Sequence, residues 1–227
     1  MELHEQAERL IAHFDALGLQ PNTAKRGWDH MGGVLSDAAL QRRAKYHRVV
    51  LPRVRDLISA WPDADTVTGF RRRMEHDSLA EVLRWTRPAK LQVIADLTDA
   101  MTDLRVDTVT DLRDLLTDDQ LRPSAVQRLR VVHNVGPKTA DYLAILVGSD
   151  DHIAIDVHLF NFAAQAGVPM GSYDGLRRVM TEVSKQRGWT LASLDAAIWQ
   201  HMSAASQGAR RAQRRTSRAS TPPSEHP

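Results

Sequence analysis

Two helices must meet at residues 133–137, where the chain reads His-Asn-Val-Gly-Pro. Apolar residues recur at helical spacing just before this point, at Val126, Leu129 and Val132. Asn134 and Gly136 both tolerate positive φ, and Pro137 suits the first position of a helix, where its missing N–H is not needed. Gly148 is typical of a residue that ends a helix. The sequence therefore predicts two helices joined by a tight hairpin.

The start of the second helix has features that bear on chemistry. Its first-turn amides are expected to be unpaired and to face outward, where they could bind a phosphate oxygen. Lys138 occupies the second position, where the positive end of the helix dipole disfavours a cation, and an uncharged lysine is a nucleophile. A solvated lysine paired with Asp141, three residues on, explains the same position without any chemistry.

A second polar residue stands at the start of another predicted helix. Asp156 follows the apolar run Ile153–Ile155 and precedes a helical pattern that Gly167 ends. Asp is a preferred N-cap residue, so a structural role alone explains it. The same carboxylate could also stabilise positive charge that develops on a substrate. The residues by themselves leave both interpretations open.

Leu129–Ala140 together with Ile153–Phe160 resembles the helix-hairpin-helix (HhH-GPD) DNA glycosylases related to endonuclease III and 8-oxoguanine glycosylase. The core of that superfamily is a hairpin close to LPGVGxKTA followed by an aspartate in a VDTH or VDVH setting. Here the hairpin reads VHNVGPKTA and the aspartate setting reads IDVH, with a step of 18 residues from Lys138 to Asp156. Two departures occur: Asn134 stands where the family has glycine, and His133 where it has proline.

The resemblance implies an all-α, two-lobed glycosylase fold with a central cleft, formed by residues 1–208 around a core motif at 124–167, one lobe being built from both chain ends. It implies that Lys138 attacks the sugar C1′ and that Asp156 assists departure of the base. The hairpin residues expected to contact DNA are Asn134, Val135, Gly136, Pro137 and Thr139. His158, Ser36 and Asp37 are the candidate pocket residues, with a wedge element expected within residues 35–41.

The expected activity is removal of a damaged or mismatched base from double-stranded DNA by a monomeric enzyme, with strand cleavage at the resulting abasic (AP) site through a Schiff base on Lys138. Two alternatives remain: a glycosylase of the same fold that uses water, and a non-catalytic hairpin protein that only grips DNA. Since the chain has no cysteine, it cannot hold the thiolate-ligated iron–sulfur cluster of endonuclease III. No metal site is predicted apart from a monovalent cation at the hairpin.

Charge is distributed unevenly along the chain. Five arginines against Glu225 give residues 209–227 a net charge of +4, which leaves −2 for residues 1–208 of the total of +2. This tail lacks apolar periodicity and is predicted to be disordered. A second basic stretch follows the candidate pocket residues and continues at Arg71–Arg73; it is either a solvated face or a phosphate-binding surface.

No stretch alternates polar and apolar residues over the length of a strand, which favours an all-α class. No apolar run approaches the ~20 residues of a membrane helix, and the N-terminus begins acidic rather than basic. A cytoplasmic, nucleoid-associated protein without membrane partners is therefore expected.

Overall fold

The computed structural model describes residues 2–24 and 26–219, of which 206–219 are described by their backbone alone. This part of the chain is helical with connecting turns and contains no β-strand, which confirms the predicted all-α class. The chain divides into two compact units. Unit 1 comprises Met1–Thr23 and Ile155–Pro227, and unit 2 comprises Ala24–Ala154.

The α-helices are, in chain order, α1 (Leu3–Ala16), α2 (Met31–Leu40), α3 (Leu51–Ala60), α4 (Val67–His76), α5 (Leu79–Val82), α6 (Pro88–Asp103), α7 (Val109–Thr117), α8 (Arg122–Leu129), α9 (Pro137–Leu146), α10 (Val157–Gln165), α11 (Tyr173–Arg187) and α12 (Leu191–Ala219). A π-helix of five residues, Tyr46–Val50, immediately precedes α3.

Helix α2 lies at the centre of unit 2. All ten of its residues are buried, and it packs against α3, α4, α6 and α9. A helix that is apolar on nearly every side is stable only when other elements surround it. The approach to α3 is close, since a Cβ on Gly33 would lie 2.8 Å from Ile58 Cδ1. The small residues of α2 thus allow its neighbours to pack tightly around it.

Helix α2 begins earlier than its sequence indicates. The glycine pair and the preceding loop residues suggest a connection through residue 34, with Ser36 as a helix cap. The structure instead places the N-cap at His30, whose Nδ1 accepts a hydrogen bond of 3.1 Å from the Gly33 amide. Burial against four helices outweighs the poor helix propensity of glycine here.

Unit 1 consists of α1 packed on α11, with α12 packed against α10 and α11. Its core contains an aromatic cluster in which the Phe14 ring lies 4.9 Å from the Phe162 ring and 5.7 Å from the Trp189 ring, centroid to centroid. Such pairs stabilise a core beyond their apolar area alone. The cluster joins α1 and α10 to the loop that follows α11.

The segment predicted to be a disordered tail begins within a helix. The backbone of α12 continues to Ala219, and residues 220–227 lie outside the described part of the chain. Arg and Ala are strong helix formers, and extending an existing helix needs no new nucleation.

Candidate functional site

The hairpin between α8 and α9 has most of the predicted local geometry. Helix α9 begins at Pro137, and Asn134 has φ 68°, in the left-handed region that Asn tolerates. Gly136 differs from expectation, because its φ of −112° is open to any residue. A Cβ added there meets no described atom within 4 Å. Gly136 therefore leaves open space outside the turn.

The first turn of α9 is tighter than predicted. The amides of Thr139 and Ala140 both donate to the Gly136 carbonyl, at 3.0 and 3.1 Å. The expectation of unpaired first-turn amides is therefore wrong for Thr139, which makes the 3₁₀-type bond that is frequent at helix ends. The Val135 side chain is buried, so only its backbone is available to a ligand. Lys138 is half-buried at the second position of the helix.

An internal ion pair joins the two hairpin helices. Asp141 of α9 is buried and lies 2.5 Å from the guanidinium of Arg122 on α8. Breaking a buried ion pair leaves an unpaired charge inside the protein, which strongly destabilises the folded state. Asp141 thus contributes to the rigidity of the hairpin.

Residues 42–48, which connect α2 to the π-helix and form its first turn, are here called the basic segment. Arg42 donates a hydrogen bond to the Asn134 side chain at the hairpin turn. Lys90 of α6 donates to the carbonyls of Leu40 and Arg42, the latter at 2.6 Å. Both contacts hold the beginning of the basic segment in place, and the Arg42 contact places it beside the hairpin.

Lys90 lies in a partly desolvated position. Burial, followed by the neighbouring Arg87 and Arg42 charges, lowers the pKa of Lys90 to about 8. The two carbonyl acceptors and the Trp85 ring, 5.0 Å from Nζ, favour the charged ammonium and act in the opposite sense. The half-buried Lys90 thus holds the beginning of the basic segment against α6.

The three arginines of α4 are each paired with a carboxylate, unlike most cations of the basic segment. Arg71 lies 2.7 Å from Asp99, Arg72 lies 2.8 Å from Asp63, and Arg73 contacts Asp63 at 2.8 Å and Asp77 at 3.1 Å. In contrast, three cations of the basic segment are exposed and form no ion pair with an acidic side chain anywhere in the described residues: Arg43, Lys45 and Arg48.

A buried carboxylate links the hairpin helix to the basic segment. Asp37 of α2 accepts hydrogen bonds from Trp28 Nε1 at 2.9 Å, Tyr46 Oη at 3.0 Å and Tyr142 Oη at 3.1 Å. Burial raises the pKa of Asp37 above its ordinary value, against the lowering effect of these three bonds and of Arg26. Burial and the Asp37 charge likewise raise the pKa of Tyr142 well above its ordinary value. Asp37 therefore connects α2, α9 and the π-helix.

The pocket predicted around Ser36 and Asp37 is not supported. Both side chains are fully buried in the core of unit 2, and Ser36 Oγ has no hydrogen-bond partner among the described residues. The segment suggested as a wedge, residues 35–41, lies mostly within buried α2. A single carboxylate in an otherwise apolar helix was the signal that a buried polar centre exists here.

Asp156 has its predicted structural role in unit 1. Its Oδ1 accepts hydrogen bonds from the amides of His158 at 2.9 Å and Leu159 at 3.4 Å, which confirms it as the N-cap of α10. Asp156 and His158 are both half-buried. Lys138 belongs to unit 2, so the two candidate catalytic residues lie in different units.

Unit 2 also has a surface cleft of about 520 Å³ bounded by the connection before α2, by α3 and by the loop after α3. Trp28, His30 and Arg55 are among its lining residues. His30 is committed to the fold, since Nδ1 accepts from Gly33 and Nε2 lies 2.9 Å from the Trp61 carbonyl. None of the residues predicted for the site lines this cleft.

Within the described ranges, no cluster of three or more His, Asp or Glu side chains is arranged to hold a metal ion. The same part of the chain has no helix that combines the length and the apolar character needed to span a bilayer.

Residues 37–203 match a family described as a domain of unknown function (DUF8548), and the chain belongs to that family. The match begins in the last turn of α2, includes the hairpin and covers about half of unit 1. No curated protein and no solved structure matches the chain.

Proposed function

We propose that this protein is a DNA glycosylase of the helix-hairpin-helix class that removes a damaged or mismatched base and then cleaves the strand. The observation that carries the proposal is the α8–α9 hairpin, with left-handed Asn134, an open turn at Gly136 and Lys138 in the first turn of α9. A turn of this kind presents backbone amides and the positive end of a helix to a phosphate.

Two further observations support the same proposal. Exposed cations lie beside the hairpin, joined to it through Arg42 and Asn134, as expected for a surface that meets a polyanion. The chain also forms two compact units, of which unit 1 contains both chain ends, as the resemblance implies for the glycosylases.

In the proposed reaction the target nucleotide is extruded from the duplex, because a base inside the stack cannot be reached. The uncharged Nζ of Lys138 attacks C1′, and the bond from C1′ to the base breaks with its electron pair leaving on the base, which takes up a proton. Opening of the sugar ring gives a Schiff base on Lys138. Loss of a proton from C2′ then expels the 3′ phosphate and cleaves the strand.

Asp156 would assist departure of the base, either by accepting a proton from Lys138 or by stabilising positive charge on the sugar. In the cap, Asp156 Oδ1 accepts hydrogen bonds from the amides of His158 and Leu159.

The test is borohydride trapping on duplexes that each contain one lesion or mismatch. The full chain should become covalently joined to DNA, and mass spectrometry should locate the adduct at Lys138. Lys138→Gln should lose both the adduct and strand cleavage. Lys185→Gln is the matched control, because Lys185 is an exposed lysine on α11 of unit 1.

Each alternative gives a different result. Base release by both parent and Lys138→Gln at the same rate would replace the covalent route with a water-using glycosylase. Binding of DNA without release of any base from a broad lesion panel would indicate a non-catalytic hairpin protein.

A further inference from the structure

The exposed cations of the basic segment have no acidic partner in the described structure, although unit 2 provides such partners elsewhere. On α4 the neighbouring arginines are neutralised by Asp63, Asp77 and Asp99. Arg43, Lys45 and Arg48 form no such ion pair within the described residues, and their side chains are exposed to solvent. Grouped like charges repel one another, so their proximity is favourable only when an anion offsets it.

The basic segment is also anchored to unit 2 at two points. Its start is fixed by the Arg42 contact to Asn134 and by Lys90, which donates to the Arg42 carbonyl at 2.6 Å. Its second half is held through Tyr46, whose hydroxyl donates to Asp37 at 3.0 Å.

The contacts of Arg42 and Tyr46 both connect the basic segment to the hairpin. Asn134 is a residue of the turn itself, and Tyr142 of α9 donates to the same Asp37 carboxylate at 3.1 Å. A charged surface that is ordered before binding does not lose loop entropy when its ligand arrives.

We propose that the basic segment and the hairpin turn form one preorganised phosphate-binding surface, on which Arg43, Lys45 and Arg48 contact backbone phosphates of duplex DNA next to the phosphate held at the turn. This inference rests on the proposed function for the identity of the polyanion. Such contacts position the duplex without reading its sequence, so their contribution is the same on intact and damaged DNA.

The experiment measures affinity for a lesion-free duplex by fluorescence anisotropy between about 50 and 200 mM salt. The variant is Arg43→Gln/Lys45→Gln/Arg48→Gln in the full chain. Glutamine is chosen because Arg43 has φ 55°, and Gln experiences the same backbone restriction as Arg there. The slope of log affinity against log salt should become shallower by about 0.9 for each phosphate that the variant no longer neutralises, or about 2.7 for three phosphates.

The matched control, Arg71→Gln/Arg72→Gln/Arg73→Gln, removes the same formal charge from unit 2. Its slope should stay close to that of the parent, because these arginines are already paired with carboxylates. The melting temperature of the basic-segment variant should stay within about 2 °C of the parent, since only exposed side chains change.

Equal slopes for parent and basic-segment variant would overturn the inference, and so would an equal decrease in both variants, which would reflect net charge alone. Failure of the parent to bind the duplex would overturn it as well. Base excision is scored separately. A parent that excises bases while the variant keeps its slope refutes only the surface, whereas a variant with a reduced slope and a parent that excises nothing refutes only the glycosylase.

Discussion

Replacement of Asp37 tests whether the buried carboxylate is the polar centre of unit 2. Asp37→Ala would remove the acceptor of three hydrogen bonds, from Trp28, Tyr46 and Tyr142. Tyr142 is buried, so its hydroxyl would bear the full cost of about 1–3 kcal/mol for an unsatisfied donor. Trp28 and Tyr46 are half-buried, and water can partly replace the missing acceptor there.

The expected loss for Asp37→Ala is therefore about 3–4 kcal/mol in the free energy of unfolding, from these donors and the small cavity together. Asp37→Asn has nearly the same shape, and its amide oxygen can accept two of the three bonds while its NH₂ group faces the third hydroxyl. We expect Asn to cost less than about 1.5 kcal/mol.

The pH dependence of protein stability tests the environment of Asp37 independently. Burial raises the pKa of Asp37 in the folded state above the ordinary 3.8 of the unfolded chain. Between these two values the folded protein keeps a proton that the unfolded chain has lost. Protonation of Asp37 therefore stabilises the folded state fully below about pH 4, and this stabilisation is lost as pH rises through the folded-state pKa. The free energy of unfolding falls by up to about 1.4 kcal/mol per pH unit over that range.

The assay is urea unfolding of parent and both variants from about pH 4 to 7, followed by tryptophan fluorescence. The parent should lose stability with rising pH relative to Asp37→Asn, which does not titrate. A parallel pH dependence in the two proteins, or an Ala variant as stable as the Asn variant, would show that Asp37 is not the buried hydrogen-bond centre described above.

Three further predictions concern single residues. Gly27→Ala should destabilise the folded protein by about 2–4 kcal/mol in thermal unfolding, because the added Cβ would lie 2.0 Å from the Leu146 carbonyl oxygen. Gly18→Ala, also at positive φ but with no atom within 4 Å, should cost only about 1–2 kcal/mol. Equal losses in the two variants would contradict the close contact at Gly27. Gly136→Val should leave the melting temperature nearly unchanged, since its φ is extended and its surroundings are open, yet it should weaken binding to every DNA sequence alike; unchanged affinity would remove the turn from the interface. Asp156→Ala should lower stability by about 0.5–2 kcal/mol through loss of the α10 cap, while an unchanged melting temperature would count against that cap.

Local features of the chain were predictable because they depend on neighbouring residues. Pro137 begins α9 and Asp156 caps α10, as expected from ring geometry and from side-chain acceptance of first-turn amides. Asn134 adopts positive φ for the same local reason. The all-α class follows from helical periodicity, together with the absence of strand-like alternation.

Prediction failed where burial overrode local preference. The glycine pair at the start of α2 suggests a loop, yet the helix begins at Met31 because neighbouring helices enclose it. Asp37 is fully buried, and the sequence does not reveal that tyrosines nine and 105 positions away donate to it. The sequence therefore identifies Asp37 as a notable residue but does not reveal that it is a buried hydrogen-bond acceptor.

The amino-acid sequence alone was enough to predict the hairpin that joins α8 to α9, the beginnings of α9 and α10, and the lack of thiolate ligands. Which arginines are neutralised by carboxylates became clear only from the packed helices. Arg42 reaches Asn134 across 92 positions, whereas Arg71 is paired with Asp99, 28 positions away. Capping and torsional preferences act within a few residues, but the pairing of charges depends on contacts between distant segments, which form only when the helices pack.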